Sequence, residues 1–279
     1  MQKYSFLMSV YKKEDPQALS TSIDSMLAQT LAPDQIVVVK DGPLTDSLEK
    51  VLAQYSSEHN EIFTIVGYED NQGLAYALNF GMQACRNELI ARMDSDDFSV
   101  ASRCEKQVAA FDNDPELALV GTNMQFFDGD VKNVSSDIRE YPATNEDIIK
   151  ALRRYSPFAH PSVMFKKSEV LSCGGYDETL RRRQDIDLFS RLIVHNRKKA
   201  ANIQEPLLLF RRDESYYKRN KNVESCNNRI AVQKKIYKRG DCRLVDYLYV
   251  WSIMTFSKIV PDKLYSVIYT KLKNKKKRQ

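Results

Sequence analysis

Four apolar runs, at residues 4–10, 35–39, 63–68 and 89–93, alternate with helix-like segments near residues 16–28, 44–58, 74–84 and 101–112. Strands that read as near-continuous Ile, Val and Leu need cover on both faces, and helices between successive strands provide it. The pattern predicts an α/β fold with a mostly parallel, Rossmann-like sheet and flanking helices. Asp15 before Pro16 suits a helix cap followed by a first helical residue. A chain of 279 residues has room for one such domain, or a domain with an appendage.

In open α/β sheets ligands sit beyond the carboxyl ends of the strands, so the residues that follow each apolar run matter most. Strand one ends at Val10-Tyr11, strand two at Lys40-Asp41-Gly42, strand three near Glu69-Asp70-Asn71 and strand four at Asp94-Ser95-Asp96-Asp97. Three carboxylates at one buried strand end repel one another and resist desolvation unless a cation or water compensates. Asp-x-Asp on an extended segment turns two carboxylates the same way. An all-oxygen set suits Mg²⁺ or Mn²⁺, which completes its shell with phosphates and water. Two plainer readings stand beside this one. Asp94 to Asp97 also reads as an acidic turn capping a helix near Ser102, and Asp41-Gly42 as an ordinary turn.

The second half is less regular, with strands expected at 117–122, 124–127, 162–165 and 207–210 and helices at 145–155 and 185–192. Five scattered cysteines without a Cys-x-x-Cys pair imply neither a disulfide framework nor a zinc site, and a reducing cytosol fits them. The N-terminus runs straight into a strand and lacks a signal-peptide pattern. No apolar stretch reaches about 18 residues, so a spanning helix is not expected. The net charge of +5 is unevenly placed: residues 211–279 carry 19 Lys and Arg against 6 Asp and Glu. The acidic body therefore ends in a basic, helical extension. Its aromatic stretch with Tyr247, Tyr249, Trp251 and Phe256, followed by the Lys-rich run 271–279, fits peripheral attachment to an anionic membrane surface. It reads equally as a helix packed on the domain with a solvated end. Nucleic acid is not an expected partner, because no nucleic-acid motif accompanies the charge.

The ordered set Met8-Ser9-Val10-Tyr11, Val39-Lys40-Asp41-Gly42, Asn71-Gln72-Gly73-Leu74 with Asn79, Asp94-Ser95-Asp96-Asp97, His160-Pro161-Ser162, Gly174-Gly175-Tyr176-Asp177 and Gln184-Asp185-Ile186-Asp187 resembles family 2 glycosyltransferases. The likeness is greatest to bacterial members that build O-antigen or capsular units, including β-1,3-galactosyl- and glucosyltransferases, and covers residues 3–212. It implies the GT-A fold, with a nucleotide-binding half at 1–115, an acceptor-binding half at 116–212 and the extension at 213–279. It further implies inverting, metal-dependent transfer of a hexose, galactose or glucose, from a UDP-sugar to a lipid-diphosphate-linked saccharide. The enzyme would then work in the cytoplasm at the inner face of the bacterial plasma membrane. By the same resemblance Val10, Tyr11, Asp41 and Asn71 hold the nucleotide-sugar, and Asp94 meets the ribose or the metal. Asp96 is the principal ligand of Mn²⁺ or Mg²⁺, Asp185 is the catalytic base, and His160 and Gly175 face the acceptor.

Chemistry supports that division. A sugar diphosphate needs its developing negative charge neutralised, and the chain has no Gly-rich loop with Lys to do so; a cation at Asp96 supplies the charge. Inversion requires one base opposite the leaving group, a task for a carboxylate such as Asp185. Gln184 stands where many relatives carry Glu, and Lys12 where many carry Asn. Asp185 and Asp187 also read as helix-starting residues paired with Arg181-Arg182-Arg183, while His59 and His195 read as surface or packing residues. Two other functions fit a Rossmann-like sheet with a metal: a sugar nucleotidyltransferase, whose phosphate loop is missing after strand one, and a non-catalytic membrane-recruitment subunit.

Overall fold

The computed structural model describes residues 2–212 and 223–259. The expected alternation is present: β1 (Tyr4–Val10), α1 (Pro16–Leu27), β2 (Gln35–Asp41), α2 (Asp46–Glu58), β3 (Phe63–Tyr68), α3 (Leu74–Ala84) and β4 (Leu89–Asp94) follow one another. β3, β2, β1 and β4 lie side by side in parallel register. Asp15 caps α1, its carboxylate accepting from the Ala18 N–H at 2.8 Å ahead of Pro16.

Strand parity divides the core. Tyr4, Phe6, Met8 and Val10 of β1 pack with Leu19, Ile23 and Met26 of α1 and with Leu48 and Leu52 of α2, while Leu7 joins Val37, Val39, Ile90 and α3 residues Leu78 and Met82 on the other face. Both faces are thus covered, the condition that a parallel sheet of continuous apolar strands imposes.

The chain then adds β5 (Phe98–Ser99), α4 (Arg103–Asn113), β6 (Leu117–Phe127), β7 (Val134–Arg139), α5 (Asn145–Leu152), β8 (Met164–Lys166), α6 (Lys167–Ser172), α7 (Gln184–Phe189) and β9 (Lys199–Arg211). A π-turn, Ser190–His195, continues α7. Among the described residues the nine strands make one sheet, ordered β3-β2-β1-β4-β8-β6-β9-β5, with β7 on β6. β8 runs antiparallel to β4 and β6, and β5 antiparallel to β9, so the second half of the sheet is mixed. The two strands expected at 117–122 and 124–127 are one, and the last strand is longer than the expected 207–210. Thr122 pairs with Ile203 but Asn123 with Pro206, leaving Gln204 and Glu205 as a bulge that tolerates the missing proline N–H.

Beyond the sheet come α8 (Val223–Lys238) and α9 (Leu244–Ile259). The basic extension is packed on the second half of the domain. Val232 and Ile236 of α8 bury against Ile186, Arg229 donates to the Arg154 carbonyl at 2.7 Å, and Gln233 donates to the Arg153 carbonyl at 2.8 Å. No helix among the described residues is long and apolar enough to cross a membrane. The Lys-rich run 271–279 lies outside the described residues.

Candidate active site

Beyond the carboxyl ends of β1, β2 and β4 lies an open cleft of about 260 Å³, lined by Ser9, Tyr11, Glu14, Asp41, Asn71, Gly73, Leu74, Asp94, Ser95 and Asp96. Of the residues expected to meet the nucleotide-sugar, Tyr11, Asp41, Asn71 and Asp94 are in this lining. Val10 is not. Its side chain is fully buried in the cluster behind the sheet, so only its backbone is left for a ligand. Strand parity explains the correction: residue 10 shares a face with Phe6 and Met8, and the cleft takes its neighbours, Ser9 and Tyr11.

Asp41 is occupied with its own loop. Oδ1 accepts from the Tyr68 hydroxyl at 2.9 Å and from the Gln72 N–H at 2.8 Å, and Oδ2 accepts from the Gly73 N–H at 3.1 Å. Asn71 donates its side-chain N–H to the Asp41 carbonyl at 3.0 Å. Asp41 thereby fixes the segment that leads into α3 and sets one wall of the cleft. Gly42, at φ +79°, lets that segment close in, since a Cβ there would stand 2.7 Å from the Asn71 nitrogen.

The turn after β4 is held from behind. The Ser22 hydroxyl on α1 donates to the Asp94 carbonyl at 2.9 Å, and the Ser25 hydroxyl accepts from the Ser99 N–H at 3.0 Å. Arg211, the last residue of β9, donates its N–H to Asp97 Oδ1 at 2.9 Å and its Nε–H to the Asp96 carbonyl at 2.8 Å. Arg92 is 2 % exposed, and its guanidinium pairs with Asp94. None of Ser22, Arg92 and Arg211 is marked by a motif; Arg92 at least stands out as a charge inside an apolar strand.

So clamped, Asp94, Asp96 and Asp97 bring one carboxylate oxygen each within 4.8 Å of one another. Asp97 is 1 % exposed, and its Oδ2 accepts no hydrogen bond among the described residues. Burial, reinforced by the Asp96 and Asp94 charges, pushes its carboxyl well above the usual carboxylate range, against the opposing Arg211 N–H. An orphaned buried oxygen facing two more carboxylates is the donor set a hard divalent cation needs. The residues therefore fit Mn²⁺ or Mg²⁺, with Asp97 a candidate ligand that the Asp-x-Asp spacing alone does not single out.

Asp185 stands on the first turn of α7, on the second-half side of the site. Burial raises its carboxyl above the ordinary range, and the nearby Arg183 and Arg92 guanidiniums and the Ile186 N–H oppose that rise. Asp187, by contrast, is fully engaged, accepting from Arg191 Nε at 2.8 Å and from Arg239 Nη1 at 2.7 Å. Asp187 thus ties Arg191 to Arg239, the residue that follows α8. Arg183, at φ +65°, is a left-handed non-glycine residue immediately before the motif, the kind of strain that collects at functional sites. Gln184, the departure from the usual Glu, is buried, with Oε1 unpartnered among the described residues.

His160 and Gly175 do not line the cleft. His160 Nε2 meets the Tyr176 hydroxyl at 2.8 Å, and burial together with the Arg92 charge holds its imidazole well below its usual range, neutral at pH 7. Gly175, at φ +65°, is required by close approach, because a Cβ would stand 2.6 Å from Asn79 Oδ1. The structure accounts for both through packing that supports the site. Tyr176 lies within electrostatic range of Arg92, Asp185 and Asp94. His195 meets Asp241 at 3.2 Å and His59 stacks on Phe63, the packing roles expected of them.

Residues 5–186 match the family description "Glycosyl transferase family 2". The chain belongs to glycosyl transferase family 2. This glycosyltransferase is 32% identical over 267 residues to an uncharacterized glycosyltransferase of Haemophilus influenzae, covering 96% of this chain and 97% of the other. It is 30% identical over 268 residues to the amylovoran biosynthesis glycosyltransferase AmsE of Erwinia amylovora, with 96% and 98% covered. It is also 30% identical over 274 residues to an Escherichia coli UDP-Gal:alpha-D-GlcNAc-diphosphoundecaprenol beta-1,3-galactosyltransferase, with 97% and 96% covered. Solved GT-A structures share the fold. The mannosyltransferase PcManGT of Pyrobaculum calidifontis, in complex with GDP-Man and Mn²⁺, superposes with a TM-score of 0.65 at 13% identity over 97% of this chain and 79% of that one. S. aureus TarS superposes with a TM-score of 0.60 at 17% identity over 82% of this chain, which spans 39% of the longer TarS chain.

Proposed function

We propose that this glycosyltransferase moves a hexose, galactose or glucose, from a UDP-sugar to an undecaprenyl-diphosphate-linked saccharide, with inversion, in the assembly of an O-antigen or capsular polysaccharide. The observation that carries the reading is the carboxylate triad after β4, with a buried Asp97 oxygen that has no partner among the described residues, beside the cleft beyond the ends of β1, β2 and β4. The full-length likeness to the E. coli galactosyltransferase favours this donor and acceptor class.

In this reading Tyr11, Asp41 and Asn71 form the walls for the uridine, and the backbone at Val10 lines its floor. Asp96, with Asp94 and Asp97, would hold Mn²⁺ or Mg²⁺, which when bound supplies positive charge for the departing diphosphate. Asp185 takes the proton from the acceptor hydroxyl as that oxygen bonds to the anomeric carbon, and the bond from that carbon to the diphosphate breaks with its electron pair leaving on UDP. One displacement inverts the anomeric centre. His160 and Gly175 act through Tyr176, shaping the acceptor side. An acceptor anchored in lipid confines the reaction to the cytoplasmic face of a membrane, so an anionic lipid surface is the expected partner.

Purified protein incubated with a panel of nucleotide-sugars, Mn²⁺ and a synthetic lipid-diphosphate GlcNAc acceptor tests the reading. UDP-galactose or UDP-glucose should give one new disaccharide of inverted anomeric configuration. Asp96→Ala and Asp185→Asn should each lower turnover about 10²-fold or more while leaving the circular dichroism spectrum unchanged. Near-normal turnover in either variant overturns that residue's assignment.

A further inference from the structure

The last described helix, α9, presents a broad apolar face to solvent. Leu244, Val245, Leu248, Tyr249, Trp251, Ile253 and Phe256 are all exposed, Phe256 at 58 %. At 3.6 residues per turn they occupy an arc of about 200°, broken only by Ser252 and Thr255. The opposite side is the packed one: Asp246, Val250 and Ser257 are buried, Asp246 accepts from Arg154 Nε at 2.7 Å, and Tyr247 stacks on Tyr237 of α8 at 5.5 Å. The helix is therefore fixed on the domain with its apolar side outward. A solubly folded surface rarely leaves so much contiguous apolar area uncovered.

We infer that this face of α9 is the membrane-docking surface of the enzyme, lying in the plane of an anionic lipid leaflet with Trp251 and Phe256 inserted at the acyl boundary. The inference deepens the lipid-linked acceptor reading above and rests on it for its purpose.

Three observations select lipid over other occupants. No described helix is long and apolar enough to span a bilayer, so α9 lies on the surface. The face carries no exposed acidic residue, Arg243 is exposed beside its start, and the sequence that follows, residues 260–279, holds seven Lys and Arg against one Asp. That charge complements phosphatidylglycerol-type headgroups. A second copy of the chain is the opposite case, because a two-fold contact through α9 would bring together two extensions that each carry 17 cationic against 6 acidic residues.

The placement also has a use. α9 packs on α8, and this unit reaches Asp185: Arg239, just after α8, holds Asp187 two residues from Asp185, and Arg229 of α8, buried and shifted down to about 10 by that burial, lies in electrostatic range of Asp185. The lipid-facing helix α9 is thereby linked through α8 to α7, which carries Asp185.

Full-length protein is floated with vesicles of phosphatidylcholine alone and of phosphatidylcholine with phosphatidylglycerol, beside Trp251→Glu/Phe256→Glu. The wild type should bind the anionic vesicles and lose binding at high salt, and the double variant should bind at least about tenfold more weakly. The variant should keep the wild-type melting temperature, because both side chains are outside the packing. Equal binding by the variant, or no binding of wild type to anionic vesicles, overturns the inference. So does light scattering that shows a wild-type dimer made monomeric by the two substitutions, since a second copy would then cover the face. Calorimetric UDP binding with Mn²⁺, measured on the same two proteins, separates this result from the donor reading: loss of UDP binding in both condemns the proposed function, whatever the vesicles show.

Discussion

At the scale of single residues the site is defined by carboxylates with different company. Asp41 and Asp187 are saturated by donors and hold structure in place, Asp97 keeps one oxygen without a donor, and Asp185 is raised by burial beside two guanidiniums. Asp97→Asn removes a buried charge that two neighbouring carboxylates oppose and keeps an oxygen for the Arg211 N–H. Without metal it should melt no lower than wild type. Mn²⁺ at a hundredfold excess over its Kd should stabilise wild type by about 2.7 kcal/mol and Asp97→Asn by far less, a contrast that scanning calorimetry reads directly. Asp185 must be ionised to act, so kcat/KM should fall as pH drops through its folded pKa, with the midpoint above the usual value of about 3.9 because burial disfavours the charge. Arg183→Gly removes an opposing positive charge while suiting the left-handed backbone, and should move that acid limb to higher pH. An unmoved limb would mean that another group sets it.

At the scale of elements, the device is strand ends braced from behind. The Asp41 carboxylate receives the Gln72 and Gly73 N–H groups ahead of α3, so Asp41→Ala removes the acceptor of these part-buried donors and should cost about 1 kcal/mol in urea denaturation. Donor KM should rise more than kcat falls, because the wall of the cleft shifts while Asp185 does not. The first half of the fold was legible because apolar strands and capped helices alternate at a regular period. The turn after β4 was legible because three carboxylates there have few structural excuses. Three elements were not. β5 is two residues long, β7 is a largely exposed polar strand on β6, and most of β9 hides behind Gln204, Glu205 and Pro206, which break its pattern at a bulge. The site residues missed share one cause: Arg92, Ser22 and Arg211 act through partners 72 or more positions away or through burial, and a linear reading shows neither. At Val10 a motif names a position, whereas strand parity decides which of two neighbours turns its side chain to the cleft, and the Val10 side chain faces the core.

At the scale of the molecule, the basic extension is part of the machine. Arg239, just after α8, holds Asp187, which is 1 % exposed, and Asp241, so Arg239→Ala strips one of two cations from a buried carboxylate and should cost about 3 kcal/mol. Unfolding followed by tryptophan fluorescence, which reports Trp251 on α9, and by far-ultraviolet circular dichroism should give one coincident transition; an early fluorescence transition would make the extension a separate unit. The sheet brings the cleft and the triad to one edge, and the extension packs on α7, which carries Asp185. The account turns on a divalent cation joining the donor's diphosphate to the aspartates after β4. Titration calorimetry of UDP into the wild-type protein tests that most directly. With Mn²⁺ present UDP should bind at one site, and omission of the metal or the substitution Asp96→Ala should abolish the heat. Binding of UDP that is indifferent to Mn²⁺ and to Asp96, or no binding under any condition, would contradict it.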